Sequence, residues 1–345
     1  MFYWRRSNVR KFRGKNASRN KSINPIKMKQ IIYIVIILFF IACENSSNSY
    51  KPKSSGNIHT ISVVIDDNLW KGSIGNQIRN LFSSEFEGLP QQEPMFSLIH
   101  IPTKVFADFA REGRNIIQVS KSNIDTAFIT KNKYAAPQIV LSVKGKSSKK
   151  IIEQLNIIST KAKTVFTNNE IREKQKRIKK SVLKTDEFKA IGVGLTLPSA
   201  YKLFKKDEQN KLWFQRETKK GSVNILVYNM PLSSGKTDLE RIIKIRDSIG
   251  KEFVPGRNEG SYIVTEKAYR PFYKKTKIKN NDAYETKGTW EVVNDYMAGP
   301  FLNYYIEDAK NNRALVIEGF VFSPSDRKRE YMVEIAAIIK SLVIL

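Results

Sequence analysis

GTWEVVNDYMAGPF, residues 288–301, reads as a strand that runs into a turn. Trp and Val favour extended backbone at its start, while Asn, Gly and Pro punctuate its end. Trp290 and Phe301 are the side chains able to anchor it in a core. ALVIEGFVF (314–322) is a further strand. Behind it Met332, Ile335, Ala336, Ile339, Leu342 and Val343 recur on one stripe of a closing helix.

Upstream, the same periodicities place strands at 59–66, 95–101, 115–121, 126–130 and 137–143, and again at 189–197, 211–217 and 222–229. Helices are expected over Trp70–Phe82, around Val105–Phe109, from Ser147 onward, around Tyr201 and Phe204, and over 238–249. Strands outnumber helices and many are hairpin-linked. The expected fold is therefore α+β, with largely antiparallel sheets and packed helices. Strand, helix and strand recur in both parts of the body, which suggests two similar halves. A sub-boundary is expected near 168–188, where the long helix becomes polar nearly all round.

IIYIVIILFFIA (31–42) is apolar throughout and is followed by Cys43, the only cysteine. Twelve residues fall short of the roughly 20 that span a bilayer. They match the apolar segment of a secretory signal peptide, and Ile41-Ala42-Cys43 resembles the end of a bacterial lipobox. Residues 28–42 are accordingly expected to be a lipoprotein signal peptide, with Cys43 lipidated. Translation is expected to start at Met28, leaving 1–27 as an upstream extension outside the translated protein. Residues 43–57, poor in anything to bury, read as a flexible tether, and 58–345 as the folded body. Glu44, in place of an aspartate after the cysteine, favours the outer membrane, with the periplasmic face preferred to the cell surface.

The chain holds 60 basic and 33 acidic residues, a formal net charge of +27. Ten of the basic residues and none of the acidic ones precede Cys43, so the remainder carries +17. Such a surface favours anionic partners. The densest run holds Arg172, Lys174, Lys176, Arg177, Lys179 and Lys180, a candidate surface for an anionic partner. It lacks the interleaved aromatics that stack nucleic-acid bases, so no nucleic-acid partner is expected.

Motifs for chemistry are weak. Ser233-Ser234-Gly235-Lys236-Thr237 opens a helix, but Met230 and Pro231 stand where a phosphate loop needs its first glycine and a free N–H. No nucleotide is expected, and Thr237 with Glu240 reads as a capping box. His59 and His100 lack metal-ligand spacing, and no cofactor or metal is expected. Glu85, Glu87 and Glu93 cluster around 88–94, the kind of carboxylate group a hydrolase acting on glycan or peptide would use.

Several segments resemble a family of Gram-negative envelope lipoproteins catalogued only as a domain of unknown function. They are Trp70-Lys71-Gly72, GLPQQEPMF (88–96), Arg114-Asn115-Ile116, AAPQIV (135–140), Arg246-Asp247, GSYIVTE (260–266), GTWEVVNDYMAGPF (288–301) and EGFVFSPSDRKR (318–329). Ala298-Gly299-Pro300 stands in place of a more usual Gly-Gly-Pro. The resemblance implies a lipid-anchored envelope protein and supplies no catalytic residues. The expected function is thus a non-enzymatic binding or assembly component of the outer membrane, attached through Cys43 and bound to another envelope protein or an anionic polymer. The alternative is the envelope hydrolase.

Overall fold

The computed structural model describes residues 50–345; segments 1–27 and 28–42, Cys43 and residues 44–49 of the expected tether lie outside the described residues. From Lys51 to Leu345 the chain forms one unit. β1 (Thr60–Val64), β2 (Ser97–Ile101), β3 (Asn115–Lys121), β4 (Thr126–Lys131) and β5 (Ile139–Gly145) form a first sheet in the order β2-β1-β3-β5-β4. All neighbours are parallel except β4 on β5. The apolar runs of β3 and β5 suit parallel strands covered on both faces. Ile61, Val63, Ile117 and Leu141 lie against helices, while Val64, Ile116 and Val140 lie against the segment that holds Phe106 and Ala110.

The helix expected over Trp70–Phe82 is two, α1 (Asp67–Lys71) and α2 (Ser73–Phe82). Gly75 permits the tight join, because a Cβ there would sit 1.8 Å from the Trp70 carbonyl oxygen. The helix expected near Val105–Phe109 is a pair of 3₁₀ turns, Thr103–Val105 and Asp108–Glu112. α3 (Ser148–Ile178) is 31 residues long, about 46 Å. Its first two thirds give Ile151, Leu155, Ala162 and Phe166 to the first core, and its last turns give Ile171 and Ile178 to the second.

The second sheet follows α4 (Glu187–Ala190) and β6 (Val193–Gly194). It contains β7 (Lys202–Lys206), β8 (Leu212–Thr218), β9 (Gly221–Pro231), β10 (Ile263–Thr265), β11 (Phe272–Ile278), β12 (Asn281–Val292), β13 (Ala298–Asp308) and β14 (Arg313–Phe322). The order is β10-β12-β13-β14-β9-β8-β7, with β11 also on β12, and every pairing is antiparallel. α6 (Arg329–Ile339) covers one face through Met332, Ile335 and Ile338, and α5 (Leu239–Phe253) covers the other through Ile242 and Phe253. β15 (Val343–Ile344) pairs with β6.

The α+β class and the large antiparallel sheet with packed helices are as the sequence led us to expect. The strand–helix–strand recurrence does not extend to topology, since the first sheet is mainly parallel and the second wholly antiparallel. The strand expected at 189–197 is α4 followed by the two-residue β6, and the helix expected around Tyr201 and Phe204 is β7. A bulge between Leu203 and Lys205 resets the alternation there, so the apolar spacing imitates a helix. The capping box is also corrected. Asp238 caps α5 by accepting the Arg241 N–H at 3.0 Å, and Thr237 donates instead to Glu307 at 2.9 Å. Trp290 and Phe301 are buried in one cluster, as anchors of the 288–301 turn should be.

Three buried carboxylates tie the elements together. Glu170, at 0% exposure, accepts from the His59 N–H at 2.7 Å, Arg114 Nε at 2.7 Å and Asn115 Nδ2 at 2.6 Å. Glu93 accepts from the Lys328 and Arg329 N–H groups at 2.5 and 3.3 Å, meeting the positive end of α6. Glu334 joins Lys174 of α3 at 3.0 Å, Arg216 of β8 at 2.8 Å and the Tyr201 hydroxyl at 3.0 Å. The expected tether is itself paired to the body from Pro52 onward. Ala136 N–H donates to the Pro52 carbonyl at 2.9 Å, and Ser55 N–H donates to that of Glu112 at 2.9 Å.

Removing Glu170 leaves the Arg114 charge buried without its partner. Glu170→Gln should cost about 3–5 kcal/mol in denaturant-induced unfolding; a loss under about 1 kcal/mol would show that water reaches Arg114. Burial alone would raise the Glu334 carboxyl, but Lys174, Arg216 and Tyr201 outweigh it and hold the pKa below 4.5. That stabilisation is fully present above pH 4.5 and is lost as pH falls through the depressed folded value. Below pH 4.5, stability should decline less steeply in Glu334→Gln than in the wild type; equal slopes would contradict the assignment.

Candidate functional site

Alternation along β12 puts Glu285, Lys287 and Thr289 in a row on one face of the strand. β11 pairs with β12 only as far as Lys287 and the pairing with β10 begins at Trp290, so Gly288 and Thr289 lie where the two edge strands leave an interval. The loop Ser84–Gln92 roofs this row. Gly88 adopts φ +80°, and a Cβ on it would meet the Lys287 Cβ at 3.0 Å, so only glycine lets the loop settle this closely.

Between loop and strand opens a cleft of about 660 Å³, lined by Phe86, Leu89 and Pro90 of the loop, Tyr269, Arg270 and Phe272 beyond it, and Gly288 and Thr289 of β12. Tyr269 and Phe272 are 68% and 51% exposed. A second hollow of about 140 Å³ shares Phe86 and Glu87 with the cleft and reaches His59, Met95, Glu285, Lys287, Tyr304 and Lys340.

The charges of this groove are strongly coupled. Lys287 lies 3.0 Å from Glu285 and 3.4 Å from Glu87. Burial works against its ammonium, but the two carboxylates prevail and raise its pKa above 10.5. Burial would likewise raise Glu285, yet Lys287 and the hydrogen bond donated by the Tyr304 hydroxyl keep it below 4.5. Burial, with Glu285 adding, pushes the Tyr304 phenol well above 10. His59, also buried, titrates below 6.5, and its Nδ1 lies 2.8 Å from the Met95 carbonyl. The Thr289 hydroxyl is buried without a hydrogen-bond partner among the described residues.

The residues singled out from sequence are placed as follows. Cys43 lies outside the described residues. Arg172, Lys176 and Lys179 project from one face of α3 and its end, with Lys180 following, all exposed. Lys174 turns inward to Glu334, whereas Arg177 is also exposed and pairs with Glu173 at 2.9 Å and with the Gly56 carbonyl at 3.2 Å. The carboxylates do not converge as a set: Glu93 caps α6, Glu87 meets Lys287 and Glu85 is exposed. His100 stacks on Trp70 with ring centroids 5.0 Å apart. Among the described residues no cluster of His, Cys, Asp and Glu is arranged to hold a metal, and no helix is long and apolar enough to cross a membrane. Glu285, Lys287 and Thr289 escaped the sequence reading because the segment before Gly288 is too charged to register as a strand; strict alternation in E-T-K-G-T was the available signal.

Residues 180–341 match the family model described as domain of unknown function (DUF4837), and residues 54–179 match that described as domain of unknown function (DUF8532). Together the two matches run from residue 54 to residue 341, and both families are described only as domains of unknown function. No curated protein sequence matches it. Among solved structures it is similar to a point mutant of the protein Mog1, at 8% identity and TM-score 0.29 over 44% of this chain and 90% of that one. It is similar to LpqN of Mycobacterium tuberculosis at 8% identity and TM-score 0.28, over 44% and 82%. It is also similar to cyanobacterial PsbP (CyanoP) of Synechocystis sp. PCC 6803 at 10% identity and TM-score 0.30, over 47% and 89%. The groove draws on both matched domains. Its roof, 84–92, belongs to the DUF8532 match, and Tyr269, Phe272 and the β12 row belong to the DUF4837 match.

An unpaired buried hydroxyl costs about 1–3 kcal/mol. Thr289→Val should therefore leave thermal stability unchanged or raise it by about 1 kcal/mol. A clear loss of stability would show that the hydroxyl is already bonded within the fold.

Proposed function

We propose that this protein is a lipid-tethered, non-enzymatic component of the cell envelope that holds an extended segment of another envelope protein in the groove along β12. The anchor is acylated Cys43 after removal of residues 28–42, the membrane is the outer one, and the body lies on its periplasmic side. The support for attachment is the short apolar run ending at a lone cysteine. The exposed aromatic cleft carries the binding reading. Tyr269 and Phe272 present large apolar faces beside a row of charged and hydroxyl groups, and an extended peptide can lay side chains on the first and polar backbone on the second. An anionic polymer suits the exposed Arg172, Lys176, Lys179 and Lys180 instead. The hydrolase alternative requires a carboxyl held protonated to act as acid, whereas Glu285 is driven below its ordinary value and Glu93 is committed to α6.

Affinity purification of the tagged protein from detergent-solubilised membranes should recover a stoichiometric partner. The double variant Tyr269→Ala/Phe272→Ala should weaken that association at least about tenfold, at roughly 1 kcal/mol or more per aromatic anchor. Its unfolding midpoint should stay near the wild type, because both side chains are exposed. Recovery of the protein alone in several detergents, or full binding by the double variant, would contradict the reading.

A further inference from the structure

Acylation at Cys43 would place one part of the body nearest the membrane, and the path of residues 51–57 identifies it. Gly56 and Asn57 are held by Arg114, whose Nη2 donates to their carbonyls at 3.1 and 2.8 Å. From there, followed backward, the chain leaves α3 and crosses the starts of the parallel strands. Ser55 pairs with Gly113, Lys53 pairs with Ala136, and Lys51 Nζ donates to the Asn132 carbonyl. Lys51 is eight residues from Cys43, a covalent reach of at most about 28 Å. An acylated Cys43 would therefore lie within that distance of the edge beside Lys51.

This edge has the chemistry of an interfacial docking face. The 3₁₀ turns beside it carry Val105 and Phe109, 61% and 82% exposed. Arg111 lies over the Phe106 ring at 5.8 Å and Lys133 over the Tyr134 ring at 4.8 Å, while Lys51, Lys53, Lys104 and Lys131 are exposed on the adjoining segments, and none of the six is in an ion pair among the described residues. The platform beneath is fixed. Phe106 meets Tyr134 edge-on at 5.5 Å, Arg111 lies over the Tyr134 ring at 5.5 Å, and Gln138 Nε2 donates to the Arg111 and Gly113 carbonyls at 2.7 and 2.8 Å. Apolar side chains ringed by cations are what an anionic lipid surface takes up.

We infer that the body docks through this edge onto an anionic phospholipid bilayer, with Phe109 and Val105 entering the headgroup region and the surrounding lysines and Arg111 meeting lipid phosphates. The inference rests on the proposed acylation of Cys43.

Hydrogen–deuterium exchange of the full membrane-extracted protein in nanodiscs tests this. With phosphatidylglycerol present, peptides covering 103–113 and 50–56 should be protected relative to pure phosphatidylcholine discs, and molar salt should remove the difference. The double variant Lys53→Glu/Lys133→Glu should reduce the docked fraction by about fivefold per cation removed, and Phe109→Asp should reduce it further. Unchanged exchange at 103–113, or protection confined to 172–180, would overturn the assignment of this face. Mass spectrometry of the Cys43 peptide separates the two readings. An unmodified thiol refutes the anchor, and the same exchange measurement with phosphatidylglycerol vesicles then decides docking by itself.

Discussion

A single carboxylate removed from water organises the first half of this fold. Glu170 is fully buried, and its two oxygens accept from the backbone at His59 and from the side chains of Arg114 and Asn115. Four segments are fixed by that cluster: the entering chain at Gly56 and Asn57, the start of β1, the start of β3 and the later turns of α3. A charge so deeply buried is tolerable only when fully hydrogen-bonded. The arrangement therefore specifies one docking of α3 on the first sheet. The helix then continues, places Ile171 and Ile178 in the second core, and meets α6 through Lys174 and Glu334.

The groove is a consequence of the same joinery. Loop 84–92 leaves α2, returns to β2, and is held between two fixed points. Glu93 binds the first N–H groups of α6, and Gly88 lies against Lys287. What remains between the loop and β12 is the aromatic cleft. Motifs that resembled an envelope family mostly serve this scaffolding. Arg114-Asn115 binds Glu170, Arg246 pairs with Glu318 at 3.0 Å and stacks over Phe301 at 4.0 Å, Asp247 accepts from Thr265 at 2.8 Å, and Gln138 orders the turns around Arg111.

Much of this was legible in sequence wherever burial writes a period. The apolar runs of β1, β3, β5, β9 and β14 and the stripes of α3, α5 and α6 were all readable. Parallel pairing in the first sheet was not, because an apolar run marks a strand covered on both faces without naming its neighbours. Charge hid the β11–β12 hairpin. KKTKIKNNDAYETK looks like a solvated loop, yet lysines suit an edge strand that must not pair with another chain. Of the site, the carboxylates around GLPQQEP mark the loop in the sequence, while nothing local ties it to the residues opposite on β12. Their relation to the loop spans about 200 positions and depends on tertiary contacts that no local spacing records.

Native-state amide exchange resolved by sheet is the most direct measurement of whether Glu170, α3 and the Glu93 and Glu334 contacts join the two matched domains into one cooperative body. Slowest-exchanging amides of β3 and β5 should open with the same free energy as those of β13 and β14, in a single step with the His59 amide. Opening of the first sheet at a distinctly lower free energy, with the second sheet still protected, would contradict that coupling and remove the basis for a groove built across both.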